Sequence, residues 1–225
     1  MSTGITREMI ALRAARELKD GMYVNLGIGL PGLVSNFIPE GIDVVLHSEN
    51  GMLGYSRIPE EDQWDVDLVN AGATPVTLVA GASFCDSSIS FSVVRGGHID
   101  LAILGAYEVS AKGDIANWMK PVSKGDKLGA PGPGGGMDLV YGAKRIAVVM
   151  EHTTVAGKPR IVNKCSYPIT GSAAVDIIFT NLAVIKVTPR GLMLMERAPG
   201  VSVEEIQAAS EANLIVSGDL KEMEL

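Results

Sequence analysis

The sequence predicts an α/β fold, in which an open, mostly parallel or mixed sheet is flanked by helices. Most of its apolar runs lack period-2 alternation, which is typical of strands that are buried on both faces. Helical segments lie between some of these runs, and that succession favours an α/β sheet. The chain also has 26 glycines, while Phe, Tyr and Trp together make up 5% of its residues, a composition that favours tightly looped α/β architecture.

The N-terminal elements follow from local spacing. Residues 5–19 place apolar side chains near helical spacing, with Thr6 as the N-cap and Lys-Asp-Gly at the end. We predict a strand at 23–27, a short helix at 31–38 and a second strand at 43–47.

The later elements follow from further apolar runs. We predict strands at 75–81, 99–106, 145–151 and 182–188, and helices at 85–94, 172–180 and 202–212. The sequence Arg-Gly-Gly-His at 95–98 predicts a turn between a helix and a strand. A long irregular segment covers 112–137, and loops beyond about 15 residues in compact domains are usually functional or mobile.

Length and charge narrow the class of protein. A chain of 225 residues suits one domain, so we expect a single domain over residues 1–225. The formal net charge of −7 and the lack of a basic cluster argue against nucleic-acid binding. No apolar run approaches the roughly 20 residues needed to span a bilayer. The first residues carry no apolar signal core, so we expect a cytoplasmic protein that does not act at a membrane.

Cysteine and histidine usage argues against a metal site. Cys85 and Cys165 form no CxxC motif, and we expect buried free thiols. The histidines His47, His98 and His152 are scattered near strand ends or turns, without HxH or HExxH spacing. We therefore expect no bound metal ion.

A glycine-rich turn follows the first predicted strand. Residues 27–32 read Gly-Ile-Gly-Leu-Pro-Gly and match the G-x-G-x-x-G fingerprint of dinucleotide binding. Glu49 falls at the end of the next strand, where such folds keep their ribose-binding acid. An NAD(P)-binding Rossmann oxidoreductase is therefore one hypothesis, and a tight turn that merely needs glycine is another.

A second glycine-rich stretch, Gly-Pro-Gly-Gly-Gly-Met-Asp, covers 132–138. It lacks the Gly-Lys-Ser/Thr of a phosphate-binding P-loop. Successive glycines cost conformational entropy, so they make sense where backbone N–H groups must approach a ligand closely. A floppy surface loop is the alternative interpretation.

Glu49 stands where a predicted strand ends and Asn50-Gly51 turns the chain back. The sequence contains no G-x-S-x-G elbow of a serine hydrolase. The groups best able to do chemistry are therefore Glu49 and the backbone amides of the two glycine loops. The residues alone leave open that Glu49 is an ordinary surface charge.

Several motifs together resemble a known family. They read VNLGIGLP (24–31), SENGMLG (48–54), VNAG (69–72), SFSVVRGGHIDLAILGA (90–106), GDIANWM (113–119) and GGGMDLVYGAKR (134–145). In this order they closely resemble the B (beta) subunit of family I 3-oxoacid CoA-transferases, from about Met9 to Leu214. The resemblance implies an open α/β fold and displaces the Rossmann hypothesis.

The resemblance also implies a mechanism. Glu49 is the catalytic residue by motif position, forming first a mixed anhydride with the acyl group and then a glutamyl-CoA thioester. Coenzyme A is a substrate, and no other cofactor is expected. The resemblance implies substrate and CoA binding by Asn25, Gly27, Gly29, Asn50, Gly51, Gly135 and Gly136.

The family divides its active site between two homologous halves, and this chain accounts for one. The resemblance thus implies an A (alpha) subunit as partner, in an assembly of two alpha and two beta chains. It implies transfer of CoA from succinyl-CoA or acetyl-CoA to a 3-oxoacid such as acetoacetate, as in ketone body metabolism; 3-oxoadipate and butyrate–acetoacetate transferases share the motifs. The stretch 118–134 is longer than is usual in the family, and glycine replaces alanine at Gly136. We further predict that 120–136 closes over the acyl-CoA.

Overall fold

The computed structural model describes residues 4–120 and 132–225. Its α-helices are α1 (Arg7–Ala15), α2 (Ser87–Arg95), α3 (Gly136–Gly142) and α4 (Val203–Ala208), and 3-10 helices cover Pro31–Phe37 and Glu61–Gln63. Its strands are β1 (Tyr23–Leu26), β2 (Val45–Ser48), β3 (Met52–Tyr55), β4 (Leu78–Phe84), β5 (Leu101–Leu104), β6 (Glu108–Ser110), β7 (Ile115–Ala116), β8 (Ile146–Val149), β9 (Ile161–Val162), β10 (Ile177–Phe179), β11 (Ala183–Thr188), β12 (Gly191–Arg197) and β13 (Leu214–Glu222).

The main sheet is mixed. Its ten strands lie in the order β13-β12-β11-β10-β8-β5-β1-β2-β3-β4. The central strands from β10 to β2 run parallel to one another, while β3, β4, β11 and β12 each pair antiparallel with a neighbour. A smaller sheet has the order β7-β6-β9. The predicted fold class, an α/β fold with a mixed sheet, is confirmed.

The core covers both faces of the central strands. Every residue of β5 and β8 is buried, as the absence of alternation predicts. Helix α1 packs Ile10, Ala11 and Ala14 into this core. Its predicted N-cap is confirmed, because the Thr6 hydroxyl oxygen accepts a hydrogen bond from the Met9 N–H at 3.3 Å.

One predicted helix is wrong. Residues 172–180 contain strand β10, which pairs with β8 on one side and with β11 on the other. Two features of the backbone oppose a helix there. Ala173 adopts a positive φ of 49°, and the Asp176 N–H donates to the Ile146 carbonyl oxygen at 2.9 Å instead of to a carbonyl within a helix. The apolar residues Ile177–Phe179 therefore form a strand, which pairs with β8 on one side and with β11 on the other.

The strand predicted at 75–81 is only partly correct. Strand β4 begins at Leu78, pairs with β3 alone and ends the sheet. Most of its residues are exposed, although the apolar run predicted burial on both faces. The short helix at 31–38 is a 3-10 helix over Pro31–Phe37, whose Gly, Ser and Asn residues have low α-helix propensity.

The long segment at 112–137 is described only in part. It contains strand β7 and the first turn of α3, while 121–131 lie outside the described residues. The prediction that 120–136 closes over the acyl-CoA falls largely on that stretch. In the described parts of the chain, no helix is both long enough and apolar enough to cross a bilayer.

The topology brings the first glycine loop and the Glu49 turn to one edge of the sheet. Strands β1 and β2 are parallel neighbours, with Asn25 opposite His47 in register. The loop after β1 begins at Gly27, and the turn after β2 begins at Glu49. Open α/β sheets place ligand sites at the carboxyl ends of their strands, which is where these loops lie.

Candidate active site

Glu49 lies in the tight turn between β2 and β3 and is half-buried. Gly51 closes the turn with a φ of +112°, in the left-handed region that favours glycine. Its N–H donates to the Ser48 carbonyl oxygen at 3.0 Å, and its own carbonyl accepts from the Cys85 N–H at 2.8 Å. A Cβ atom at Gly51 would collide with the Cys85 carbonyl. The turn that presents Glu49 therefore requires glycine at this position.

The Asn25 side chain holds the Glu49 carboxylate. Asn25 is fully buried on β1, and its Nδ2 donates to Glu49 Oε2 at 3.1 Å. The same nitrogen lies 3.0 Å from His47 Nδ1 and 3.2 Å from the His47 carbonyl oxygen. The His47 carbonyl oxygen can only accept, so the Asn25 atom beside it is identified as the NH₂ group. Asn25 Oδ1 is buried without a hydrogen-bond partner among the described residues.

The first glycine loop lies beside this carboxylate. The Gly27 N–H donates to the Ile103 carbonyl of β5 at 2.8 Å, and a Cβ at Gly27 would lie 3.3 Å from that oxygen. Gly29 has a φ of +81° and open space around it. Both glycines line a crevice together with Glu49. The other residues that line this crevice include Leu26, Ile28, Tyr55, Ile58, Asn70 and Val76.

The second glycine loop reaches the same Glu49 side chain. A Cβ atom on Gly135 would lie 3.3 Å from Glu49 Cγ and 3.0 Å from the Phe91 ring. A Cβ on Gly136 would lie 3.5 Å from Thr170 Cγ2 and 3.7 Å from Asn117 Oδ1. The structure therefore brings Gly135 against Glu49, and it places Gly136 one residue further along, at the start of α3.

Asn50 has a structural contact. Its Nδ2 donates to the Val69 carbonyl oxygen at 2.8 Å and so ties the Glu49 turn to the loop at 69–72. The Ser48 hydroxyl accepts from the Ala71 N–H at 2.8 Å and makes a second tie to that loop. These contacts hold one wall of the crevice, and a direct role of Asn50 in binding substrate stays a prediction.

The electrostatic surroundings keep Glu49 free of strong ion pairs. Within the described ranges, no Lys, Arg or His forms an ion pair with it. Burial lowers the pKa of His47, and the negative charge of Glu49 only partly offsets that effect. Burial, together with the charge of Glu49, raises the pKa of Tyr55 far above its ordinary value. A carboxylate held by a neutral amide keeps its anionic oxygens available as a nucleophile.

Sequence reasoning missed four side chains of this site. His47 and Ser90 are buried behind Asn25, Tyr55 lines the crevice, and Phe91 packs against Gly135. One signal was available for His47, since residues two apart on a strand point to the same face and His47 precedes Glu49 by two. The remaining contacts join segments that are distant in sequence. Among the described residues, no cluster of His, Cys, Asp and Glu suits a metal ion.

The dinucleotide hypothesis does not fit this geometry. In a Rossmann unit the glycine turn leads into an α-helix whose N-terminus holds the pyrophosphate. Here 27–32 leads into the 3-10 helix Pro31–Phe37, and Glu49 sits in a hairpin between antiparallel strands. The acid is also held by Asn25 and covered by Gly135, which leaves it no role as a ribose ligand.

Comparisons with known proteins agree with this conclusion. The B subunit of a Helicobacter pylori succinyl-CoA:3-ketoacid coenzyme A transferase is 49% identical over 210 residues, covering 93% of this chain and 99% of that protein. The B subunit of the Acinetobacter baylyi 3-oxoadipate CoA-transferase is 44% identical over 211 residues, covering 94% and 95% of the two chains.

Solved structures show the same fold. An acyl-CoA transferase from E. coli O157:H7, in a thioester complex with CoA, matches with a TM-score of 0.73 at 23% identity, covering 100% of this chain and 44% of that chain. The decarboxylase AibA/AibB matches with a TM-score of 0.69 at 18% identity, covering 98% and 90%. The family model for coenzyme A transferase matches residues 7–209. This chain belongs to the coenzyme A transferase family and is a CoA-transferase.

Proposed function

We propose that this chain moves CoA from succinyl-CoA or acetyl-CoA to a 3-oxoacid such as acetoacetate, through a glutamyl-CoA thioester at Glu49. One observation carries the proposal, which is the convergence of Asn25, the loop at 27–32 and Gly135 on the Glu49 carboxylate. The names of the relatives at 49% and 50% identity support the substrate class.

The reaction begins when a Glu49 oxygen attacks the acyl-CoA carbonyl carbon. The C–S bond breaks, CoA leaves as a thiolate, and a mixed anhydride joins Glu49 to the acyl group. The thiolate then attacks the Glu49 carbonyl carbon, releases the acyl group as a carboxylate and leaves the glutamyl-CoA thioester. The acceptor carboxylate attacks this thioester, and the same two steps in reverse give the new acyl-CoA and restore Glu49.

Each attack places negative charge on a carbonyl oxygen, and such charge needs preorganised donors. The Asn25 amide already donates to a Glu49 oxygen, and it remains in place when that oxygen becomes part of an anhydride or a thioester. Of the glycines Gly135 and Gly136, the first lies against Glu49 and offers its N–H as a further donor, whereas the Gly136 N–H already donates to the Pro133 carbonyl oxygen at 2.9 Å. Because neither residue carries a side chain, substrate atoms can approach this backbone closely.

The crevice suits a short acyl group. Leu26, Ile28, Ile58 and Val76 give it apolar walls, while Asn70 and Thr74 line it with polar groups. We propose that coenzyme A is a substrate and that the reaction uses no other cofactor and no metal ion. A carboxylate is ionised at neutral pH and needs no base to become a nucleophile.

The names and sequence identities of the relatives suggest which 3-oxoacid is the preferred acceptor. The B subunits named succinyl-CoA:3-ketoacid transferases are 49% and 50% identical to this chain, and those named 3-oxoadipate transferases are 44% and 45% identical. A panel of acyl-CoA donors and carboxylic acid acceptors, assayed on the assembled enzyme, tests this order. Faster turnover with 3-oxoadipate than with acetoacetate would reverse it.

We further propose that this chain assembles with an A-type partner, two copies of each chain forming the enzyme. Bacterial relatives are named as B subunits, and this chain spans 42% of the length of a mouse mitochondrial relative that is 47% identical. Large apolar side chains are also exposed on β4, including Val79 and Phe84, and in the segment before it, including Trp64 and Val66. Full transferase activity from this chain alone would contradict the proposal. A cytoplasmic location stays a prediction from the sequence.

Trapping of the intermediate tests the assignment directly. The assembled enzyme is incubated with acyl-CoA in the absence of acceptor and is then reduced with borohydride. A glutamyl thioester is converted to an alcohol, and peptide mass spectrometry locates it. Modification at Glu49 is the expected result, and modification at another carboxylate would overturn the assignment.

A further inference from the structure

A buried chain of polar groups continues inward from Asn25. His47 and Ser90 are each 1% exposed, so neither can bind substrate directly. His47 Nδ1 lies 3.0 Å from Asn25 Nδ2, and His47 Nε2 lies 2.8 Å from Ser90 Oγ. Ser90 Oγ in turn lies 3.2 Å from the Ser48 carbonyl oxygen. The chain therefore starts at Glu49 and returns to the backbone of the residue that precedes it.

The hydrogen positions in this chain follow from its two ends. The Ser48 carbonyl can only accept, so it takes the Ser90 hydroxyl hydrogen, and Ser90 Oγ accepts from His47 Nε2–H. At the other end, Asn25 Nδ2 is a donor, so His47 Nδ1 must be an unprotonated acceptor. Both ends assign the same neutral tautomer to His47, in agreement with its burial.

We infer that His47 is a positioning residue. Its Nδ1 accepts one N–H of Asn25, so that the other N–H is left for Glu49 Oε2 at 3.1 Å and the His47 carbonyl oxygen at 3.2 Å. An amide that lost the Nδ1 acceptor would keep only the His47 carbonyl oxygen and Glu49 as acceptors, so its N–H groups would turn toward that carbonyl and bond less directly to Glu49. The inference rests on the proposed function, because it matters only if Glu49 is the group that reacts.

The expected effect is on rate rather than on binding. Loss of a single oxyanion donor costs about 10²- to 10³-fold in turnover. Loss of His47 misaligns such a donor without removing it, so we expect a smaller effect, about 10- to 100-fold. His47 is buried behind Asn25 and does not line the crevice, so the affinity for acyl-CoA should change far less.

The test compares His47→Leu with His47→Gln in the enzyme assembled with its partner chain. Leucine offers no polar atom, whereas the glutamine amide offers an acceptor for Asn25 and a donor for Ser90. The rate of glutamyl thioester formation is measured in a single turnover, together with KM for acyl-CoA and the melting temperature. We expect His47→Leu to lose about 10- to 100-fold in rate with little change in KM, and His47→Gln to recover most of it.

Ser90→Ala keeps the inference testable if His47→Leu does not fold. Without the Ser90 oxygen, His47 can adopt the other tautomer, so we expect a several-fold loss in the same rate. Ser92→Ala is the matched control, because Ser92 lies on the same helix, is exposed and donates only to the Ser88 carbonyl at 2.8 Å. Its rate should equal that of the wild-type enzyme.

The outcomes separate this inference from the proposed function. If the wild-type enzyme shows no thioester at Glu49, the proposed function fails. If that thioester forms but His47→Leu and Ser90→Ala keep the wild-type rate, the positioning role is overturned. If His47→Leu and His47→Gln lose rate equally, and the rate falls in parallel with the melting temperature, His47 has only a structural role. That result would also overturn the inference.

Discussion

Gly135 and Glu49 touch across the active site, so closely that a Cβ on Gly135 would lie 3.3 Å from Glu49 Cγ. The same atom would lie 3.0 Å from the Phe91 ring. A side chain at this position would press on Phe91 and on Glu49 Cγ, although the φ of −86° at Gly135 is one that any residue adopts. The contact joins the hairpin after β2 to the N-terminus of α3.

Alanine at position 135 should impair catalysis more than folding. The added methyl group pushes Glu49 or Phe91 by a few tenths of an ångström, and a misplacement of about 1 Å can cost about a hundredfold. We therefore expect Gly135→Ala to lower turnover by up to about 10-fold, measured by steady-state assay of the assembled enzyme. Gly218→Ala is the control, since Gly218 lies on β13 and its Cβ would meet nothing within 4 Å. Equal losses in the two variants would contradict the explanation.

Replacement of Glu49 tests its role as the nucleophile. Glu49→Gln keeps the shape and can still bond to Asn25, but it lacks the anionic oxygen that attacks the acyl group. Turnover should fall by several orders of magnitude while acyl-CoA binding weakens much less. Glu49→Asp withdraws the carboxylate by about 1 Å and should fail almost as badly. Near-normal turnover in Glu49→Gln would remove Glu49 from the mechanism.

Substitution of Gly51 should disrupt the turn that presents Glu49. Gly51→Ala combines an unfavourable positive φ with a collision against the Cys85 carbonyl. Gly41 also has a positive φ, of +83°, but nothing lies near it, so Gly41→Ala measures the backbone strain alone. We expect about 1–2 kcal/mol of destabilisation for Gly41→Ala and clearly more for Gly51→Ala, by urea unfolding. A milder effect at Gly51 would show that the turn can relax.

His152 should make stability depend on pH. It is fully buried between Thr180 Oγ1 and Ser210 Oγ, and burial lowers its pKa from 6.5 to about 4. The folded state therefore resists protonation, and between these values the unfolded chain binds more protons. Its contribution to stability is complete above about pH 6.5 and falls as the pH drops toward 4, by about 2 kcal/mol at pH 5.

The comparison uses His152→Gln and the exposed His98→Gln. Melting temperature is followed from about pH 7.5 to about pH 5. His152→Gln should lose less stability over this range than the wild-type protein, even though it starts from a lower value. His98→Gln should follow the wild-type curve. If all three curves fall in parallel, His152 does not carry this pH dependence.

Local chemistry made several features predictable from the sequence. Three features depend on residues that are adjacent in the chain, and the structure shows each of them. They are the Thr6 cap of α1, the strand β1 that follows this helix, and the Asn50-Gly51 turn. The two glycine loops were also visible, because runs of glycine are costly unless the backbone must turn sharply or approach something closely. The mixed sheet followed from apolar runs without alternation.

The sequence by itself determined which groups could react, namely one carboxylate at a strand end and two glycine-rich backbones. Only the tertiary structure decided that Gly135 rests on Glu49, that His47 and Ser90 stand behind Asn25, and that 177–179 form a strand instead of a helix. The same holds for β4, the edge strand, whose apolar residues are left uncovered by the described part of the chain. Caps and turns are decided by neighbours in the chain, whereas strand pairing and buried hydrogen bonds join residues far apart in sequence, so no local pattern records them.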